Sequence, residues 1–300
     1  MRGVFIDASE GMAEVFRSVV LPDDPEIEVH EHADVHPADL PGLLAGCDFV
    51  IDDHNSLPTT AMRLCPDVRH VVFLGTGARS YMNPEELAGL GITVHTIKGY
   101  GDVAVAEHAM ALMFAAARGI ARMDRGVRAG GWPRTAGMQL GGKTLGLLGY
   151  GGIAAEVARM AAGIGMRVTA WNRTPREAPG VEFVSLERLL SESHVLSLHL
   201  LLNDDTRGFL GAERLALLRP GVILVNTARA AVVDPDALLH SLASGRIGHA
   251  ALDVFETEPL PAGDPLTRFE NVTLSAHSGF HTPEATQTLV RRALDIAKTL

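Results

Sequence analysis

The chain has 300 residues, 47% of them apolar and 21% charged, which is enough to bury a sizeable core and too long for one ordinary core, so two domains are expected. Its formal net charge of −10 and isoelectric point near 5.7 argue against nucleic acid or an anionic membrane as the main partner, since both select basic patches. The two cysteines, Cys47 and Cys65, provide neither a disulfide framework nor closely spaced metal ligands; they read as small buried hydrophobes, and no metal is expected.

The first twelve residues, MRGVFIDASEGM, lack a long apolar stretch behind a basic start, and the most apolar run, residues 109–117, is too short to span a bilayer. A cytoplasmic protein is expected. Short β-rich runs then follow at residues 3–6, 27–30, 48–51, 70–74 and 92–95, with helical segments between them at 11–20 and 84–90. Strands alternating with helices predict a parallel α/β sheet. A helical pattern over 103–125, rich in Ala and Met, is apolar nearly all round, which predicts burial against another domain or subunit. The glycine-rich stretch 128–142 reads as a loop between domains. A second α/β series has strands at 144–148, 167–171, 195–199, 222–226, 249–253 and 272–275, and helices at 153–164, 212–218 and 235–244. Residues 283–299 form an amphipathic pattern, expected to return to the first domain. The fold class is therefore α/β: two Rossmann-like or flavodoxin-like domains with parallel sheets, hinged over an active-site cleft. Residues 1–98 with 281–300 form one domain, and 99–280 the other.

The strand TLGLLG runs into Gly149-Tyr150-Gly151-Gly152-Ile153-Ala154 and then a helix. This is G-x-G-x-x-A in the strand–turn–helix setting that marks a dinucleotide site. Gly149 permits the tight turn, Gly151 lets the backbone approach a pyrophosphate at a helix N-terminus, and Ala154 keeps helix and strand close. The next strand ends in Trp171-Asn172-Arg173-Thr174. Asn172 stands where an NAD site usually places a carboxylate, and Arg173 and Thr174, with Arg176, are donors for a 2′-phosphate. NADP(H) is the expected cofactor. NAD(H) stays open, with Asn172 on the ribose and the arginines as solvated charges.

Three segments follow strands of the second series: Val225–Arg229, Asp253–Pro259 and Ser275–Gly279. Ligands of open α/β sheets bind beyond the C-terminal strand ends, so an arginine, an acid and a histidine are expected in one crevice. Arg229 suits a substrate carboxylate and a keto oxygen, His277 suits proton transfer to that oxygen, and Glu258 suits orienting the imidazole. Taken singly, each has a structural reading; their joint placement is what points to chemistry.

These segments resemble the D-isomer-specific 2-hydroxyacid dehydrogenase family over nearly the whole chain: VAEHAMAL (105–112), KTLGLLGYGGIA (143–154), LLRPGVILVNTARAAVVD (217–234), ALDVFETEPLP (251–261) and NVTLSAHSGFHTPEA (271–285). The resemblance implies an oxidoreductase passing a hydride between a nicotinamide dinucleotide, expected above to be NADP(H), and a small 2-keto/2-hydroxy acid of the glyoxylate, hydroxypyruvate or pyruvate type. Arg229, Glu258 and His277 take the catalytic places. The resemblance further implies that Asp253 meets the nicotinamide carboxamide, that Thr227 and Ala228 line the nicotinamide, that His199 and Thr206 adjoin the cofactor, and that backbone at Thr76 and Gly77 binds the substrate carboxylate. A homodimer built around the helix from Val103 and the arm carrying Trp132 is also implied. Departures from the family pattern fall at Arg79, Gly101-Asp102, Leu201, Ala230, Phe280 and His281 and bear on substrate identity. His54 and Asn55 are further candidates for the substrate mouth. A phosphoglycerate-type enzyme using NAD, and a dinucleotide sensor without turnover, are the alternatives.

Overall fold

The computed structural model describes residues 1–32, 34–174 and 176–300. The chain divides into two compact units, residues 1–101 with 281–300 and residues 102–280. The first unit opens with β1 (Gly3–Phe5), α1 (Glu10–Val19), β2 (Ile27–Val29), α2 (Leu40–Leu43), β3 (Phe49–Asp52), α3 (Thr59–Met62), β4 (His70–Phe73), α4 (Pro84–Gly89) and β5 (Thr93–Thr96). Its strands pair in parallel in the order β2-β1-β3-β4-β5, the flavodoxin-like arrangement. Val4, Ile6, Val50 and Val71 pack into one core, and Phe5, Phe49, Ile51 and Val72 into another. Successive side chains of a strand point to opposite faces, so both faces of this sheet are covered, as a parallel sheet requires.

The second unit comprises α5 (Asp102–Arg118), α6 (Ile120–Arg128), β6 (Thr144–Leu148), α7 (Gly152–Gly163), β7 (Arg167–Trp171), β8 (Val181–Phe183), α8 (Leu186–Glu192), β9 (Val195–Leu198), α9 (Ala212–Ala216), β10 (Val222–Asn226), α10 (Pro235–Ala243), β11 (Ile247–Leu252) and β12 (Val272–Leu274). All seven strands are parallel, in the order β12-β11-β10-β9-β6-β7-β8. The strand order reverses between β6 and β9, the position where open α/β sheets leave a crevice for ligands. The chain closes with α11 (Pro283–Ala297), which packs against α1 and β4 of the first unit. Side-chain caps fix several helix starts: Ser9 accepts from Met12 N, Ser185 from Arg188 N, Asp234 from Ala237 N and Thr282 from Ala285 N.

One expectation from the sequence is corrected, and one unassigned stretch is filled. The helix expected over 103–125 is broken: Gly119 adopts φ +62°, and α5 and α6 meet at a bend of 66°. A left-handed residue is cheap only for glycine, and it ends the i→i−4 ladder. The stretch between Asn172 and His194, unassigned from the sequence, forms β8 and α8. β8 is three residues long at the sheet edge, too short to leave a periodic pattern. Cys47 and Cys65 are buried and free, each thiol pushed up by burial. Among the described residues no single helix is long and apolar enough to cross a membrane.

Candidate active site

The strands of the second unit run in parallel, so the segments that follow them share one edge of the sheet. After β6 the chain turns at Gly149, φ +92°, where a Cβ would lie 2.8 Å from the His199 carbonyl oxygen. This residue must therefore be glycine on two counts, conformation and space. Gly151 faces open space, with nothing within 4 Å of an added Cβ, and as the N-cap residue it leaves α7 without a side-chain cap. The first N–H groups of a helix left in this state suit an anion. Tyr150 donates its backbone N–H to Asn172 Oδ1 at 3.2 Å, and Asn172 Nδ2 donates to the Thr174 carbonyl at 2.8 Å. Asn172 thus ties the glycine turn to the end of β7. Beyond it Arg173 and Thr174 are exposed, and Arg173 lies 3.2 Å from Asp205. Gly152 and Ile153 make the first turn of α7.

His199 follows β9 on the other side of the switch point. Its ring pairs with Ser197 Oγ at 2.9 Å, and burial lowers its pKa to about 4, so the imidazole is neutral at pH 7. Thr206 is occupied locally: its hydroxyl donates to the Leu201 carbonyl at 2.6 Å and accepts from Asn203 N at 2.8 Å.

At the end of β10 the buried Asn226 shapes the next segment. Its Oδ1 accepts the Ala228 N–H at 3.0 Å and its Nδ2 donates to the Arg229 carbonyl at 3.0 Å. The Thr227 hydroxyl oxygen is buried with no partner among the described residues. Arg229 donates to the Ala228 carbonyl at 2.7 Å and has no carboxylate partner among the described residues, which leaves most of its fork available.

Glu258, in the segment after β11, accepts the Phe255 N–H through Oε1 at 2.9 Å. Its Oε2 lies 2.6 Å from His277 Nδ1. A carboxylate at Nδ1 fixes the tautomer in which Nδ1 carries hydrogen, so Nε2 is the nitrogen that faces outward for chemistry. His277 is held in the left-handed region at φ +49°, the sole non-glycine among the described residues with positive φ. Such a conformation persists only where surroundings impose it. They do so here through Asp253. Its carbonyl accepts the His277 N–H at 2.7 Å, and its carboxylate takes Ser275 Oγ at 2.6 Å, Ser278 N at 3.0 Å and Gly279 N at 2.9 Å. His108 of α5 adds Nε2 at 3.2 Å. Burial pushes the Asp253 carboxyl up, but the hydrogen bonds from His108, Ser275, Ser278 and Gly279 together outweigh it and bring it down to about 2.

In the first unit, Gly75, Thr76 and Gly77 follow β4, with Gly75 at φ +152° and Thr76 exposed. Arg79 is held by Glu85 through two hydrogen bonds. Beyond β1 and β3, Asp7 accepts the N–H groups of Asp53, His54 and Asn55 and the Asn55 amide. Asp52 is fully buried with neither carboxylate oxygen hydrogen-bonded among the described residues, and burial, then the neighbouring Asp7 and Asp53, outweighs the nearby Asn55 N–H and raises its pKa well above the usual carboxylate range. His54 sits 2.9 Å from Asp53, a hydrogen bond that raises its pKa.

Sequence reasoning missed Asn226, Ser275 and His108 as parts of the site. All three lie inside segments named above, but nothing in a segment says which side chain holds its turn. The dinucleotide fits what is present: an uncapped α7, a Gly151 open on its Cβ side and the unpartnered Thr227 hydroxyl. Among the described residues no three His, Cys, Asp or Glu side chains are grouped to hold a metal ion.

Comparison with known proteins places the chain in a family. Residues 110–279 match the family model described as the D-isomer specific 2-hydroxyacid dehydrogenase, NAD binding domain. The chain is 43% identical over 224 residues to a glyoxylate reductase of Aeropyrum pernix, covering 70% of this chain and 66% of that protein. It is 42% identical over 201 residues to a hydroxypyruvate reductase of Thermotoga maritima, covering 65% of each. These matches span just under two thirds of the relatives' own length. A crystal structure of a D-lactate dehydrogenase from Treponema pallidum, 28% identical, superposes with a TM-score of 0.88 over 100% of this chain and 96% of that one. The family match covers more than half of the chain and includes the glycine turn, Arg229, Glu258 and His277; this protein belongs to the D-isomer specific 2-hydroxyacid dehydrogenase family.

Proposed function

We propose that the protein moves a hydride between NADP(H) and a small 2-keto/2-hydroxy acid of the glyoxylate, hydroxypyruvate or pyruvate type. The observation that carries this reading is the 2.6 Å contact of His277 Nδ1 with Glu258, at the same sheet edge as the glycine turn. The dinucleotide, when bound, supplies or accepts the hydride. His277 Nε2 gives its proton to the keto oxygen in reduction and takes it from the hydroxyl in oxidation. Glu258 compensates the imidazolium charge through Nδ1. Arg229 forks onto the substrate carboxylate and polarises the keto oxygen. Thr227 and Ala228 line the nicotinamide, and Asp253 acts as a positioning residue for the His277 turn. Residues 1–98 with 281–300 form the substrate-binding domain, with backbone at Thr76 and Gly77 on the carboxylate.

The names of the two relatives support the substrate class. The pairing of Arg79 with Glu85 counts against a phosphorylated substrate, because it neutralises the arginine that follows the Thr76–Gly77 turn. Asn172, with Arg173 and Thr174 beyond it, supports NADP(H). One observation favours NAD(H) instead: Asp205 lies 3.2 Å from Arg173, where its charge repels a 2′-phosphate. The exposed apolar side chains Val103, Phe114, Ile120, Val127 and Trp132, gathered on α5, α6 and the arm after them, support a homodimer.

The deciding experiment is a panel of 2-keto acids with NADH and NADPH in parallel, followed by absorbance. Oxidation of NADPH with a small 2-keto acid is expected. Dinucleotide binding without turnover of any keto acid would replace the enzyme by a sensor on the same fold.

A further inference from the structure

We propose that His108 is a positioning residue for proton transfer at His277, acting from α5 through Ser275 and Asp253. The inference rests on the reading of His277 as the proton donor and deepens it. His108 Nε2 lies 2.9 Å from Ser275 Oγ and 3.2 Å from Asp253 Oδ1. Ser275 Oγ gives its hydrogen to Asp253 Oδ1 at 2.6 Å. The Asp253 carboxyl, brought down to about 2, is ionised at neutral pH. A hydroxyl has a single hydrogen to donate, and an ionised carboxylate has none. Both contacts of His108 Nε2 therefore end on acceptors, and Nε2 must be the nitrogen that carries hydrogen. The other neutral tautomer would set the Nε2 lone pair against both oxygens.

From there the bonds lead to His277. The Asp253 carboxylate accepts Ser278 N at 3.0 Å and Gly279 N at 2.9 Å, and its carbonyl accepts the His277 N–H at 2.7 Å. The imidazole donates to Ser275 Oγ and so aims the hydroxyl's own hydrogen at the carboxylate. Without His108 that hydroxyl loses its donor, and a carboxylate only 1% exposed loses one of its own. Burial raises the Asp253 carboxyl, and among the bonds that outweigh burial the one from His108 comes first. The packing is close: a Cβ at Gly279 would stand 3.1 Å from Asp253 Oδ2 and 3.6 Å from His108 Cδ2. α5 packs on β11 and β12, the strands that lead into Asp253 and Ser275. The helix thus supports a turn whose histidine is held at φ +49°, a conformation that relaxes when its surroundings give way. A misplaced His277 slows proton transfer. The glycine turn and the Arg229 segment are held by other bonds, from Asn172 and Asn226.

The test combines kinetics on the full chain with nitrogen NMR of its histidine rings. His108→Phe keeps a ring and removes the donor, while His108→Gln replaces the donor by an amide N–H. The substrate is whichever of glyoxylate, hydroxypyruvate and pyruvate the wild type reduces. His108→Phe is expected to lower kcat about tenfold, with KM within about threefold and dinucleotide affinity within about twofold. His108→Gln is expected to keep kcat within about threefold of wild type, a rescue that bulk alone would not give. Ser275→Ala should lower kcat about tenfold as well, and the Phe–Ala double variant no further, because the two side chains act in one chain of bonds. In the wild type Nε2 of His108 should carry hydrogen, its signal assigned by its loss in His108→Gln. If His108→Phe fails to fold, Ser275→Ala and the ring spectrum decide. An unchanged kcat in either single variant that removes a donor overturns the inference. Equal defects in His108→Phe and His108→Gln, a loss of about a hundredfold in the double variant, or an Nε2 without hydrogen also overturn it. All of these leave the hydride-transfer reading standing. A wild-type protein that reduces none of the three acids overturns the inference together with that reading.

Discussion

Oδ1 of Asp253 accepts the Ser275 hydroxyl at 2.6 Å, and this pair ties the end of β11 to the turn that carries His277. The same carboxylate takes two backbone N–H groups from that turn, and the Asp253 carbonyl takes a third, from His277 itself. A side chain 1% exposed is spent on holding a histidine at φ +49°.

Asp253→Asn replaces an acceptor of several donors by a group that is half donor. The folded carboxyl titrates at about 2 against an ordinary value of 3.8, so its depressed pKa contributes stability above about pH 4 that is lost as pH falls through 2. The variant should lose roughly 2 kcal/mol at pH 7, and the gap from wild type should narrow at pH 3 in urea unfolding. Its kcat should fall more than its KM rises, since the histidine is misplaced and Arg229 is not. Equal stability at pH 7 would contradict this account.

His277→Ala should lower kcat by about 10²–10⁴, the range of general acid–base catalysis, with NADPH affinity changed less than about twofold. Glu258→Gln should retain the contact at Nδ1 and lose the charge, and is expected to lower kcat by an intermediate factor. Comparable losses in nucleotide affinity, read by titration, would make the histidine structural.

Arg173→Ala should weaken NADPH by about tenfold or more and NADH by less than about threefold. Asp205→Asn should act in the opposite direction, because it frees the guanidinium now 3.2 Å away. Both substitutions lie at exposed positions, so the differences should shrink in high salt. A wild-type preference for NADH would refute the assignment of Arg173.

Asp52 is a buried carboxyl whose oxygens have no hydrogen-bond partner within bonding distance among the described residues, and burial holds its folded pKa well above the unfolded value. A raised carboxyl costs stability once pH exceeds the unfolded pKa near 3.8, and the cost grows until the folded pKa is passed. Asp52→Asn should therefore be more stable than wild type at pH 8, by about 1–3 kcal/mol, and level with it near pH 4. Thermal unfolding at the two pH values measures this, and a pH-independent difference would show that the carboxyl is not the cause.

Much of the fold was legible because hydrophobic runs of four to six residues alternated with capped helices. β6, β7 and β10 stand at the bounds that their residues implied, 144–148, 167–171 and 222–226. The break at Gly119 was not legible: glycine is tolerated inside helices, and only the packed backbone selects φ +62° over the helical value. β8 was missed for a related reason, as three residues at a sheet edge owe their pairing to β7 and not to their own pattern.

By itself the sequence determined a parallel α/β fold, the place of the glycine turn, and the segments bearing Arg229, Glu258 and His277, because residue type and spacing along the chain carry those signals. Only the tertiary structure decided which groups meet across strands: Asp253 with Ser275, Asn172 with Tyr150, Arg173 with Asp205, and His108 with Ser275. The physical reason is separation. Those partners lie 22 to 167 residues apart, and their contact depends on strand order and helix packing, which no local pattern encodes.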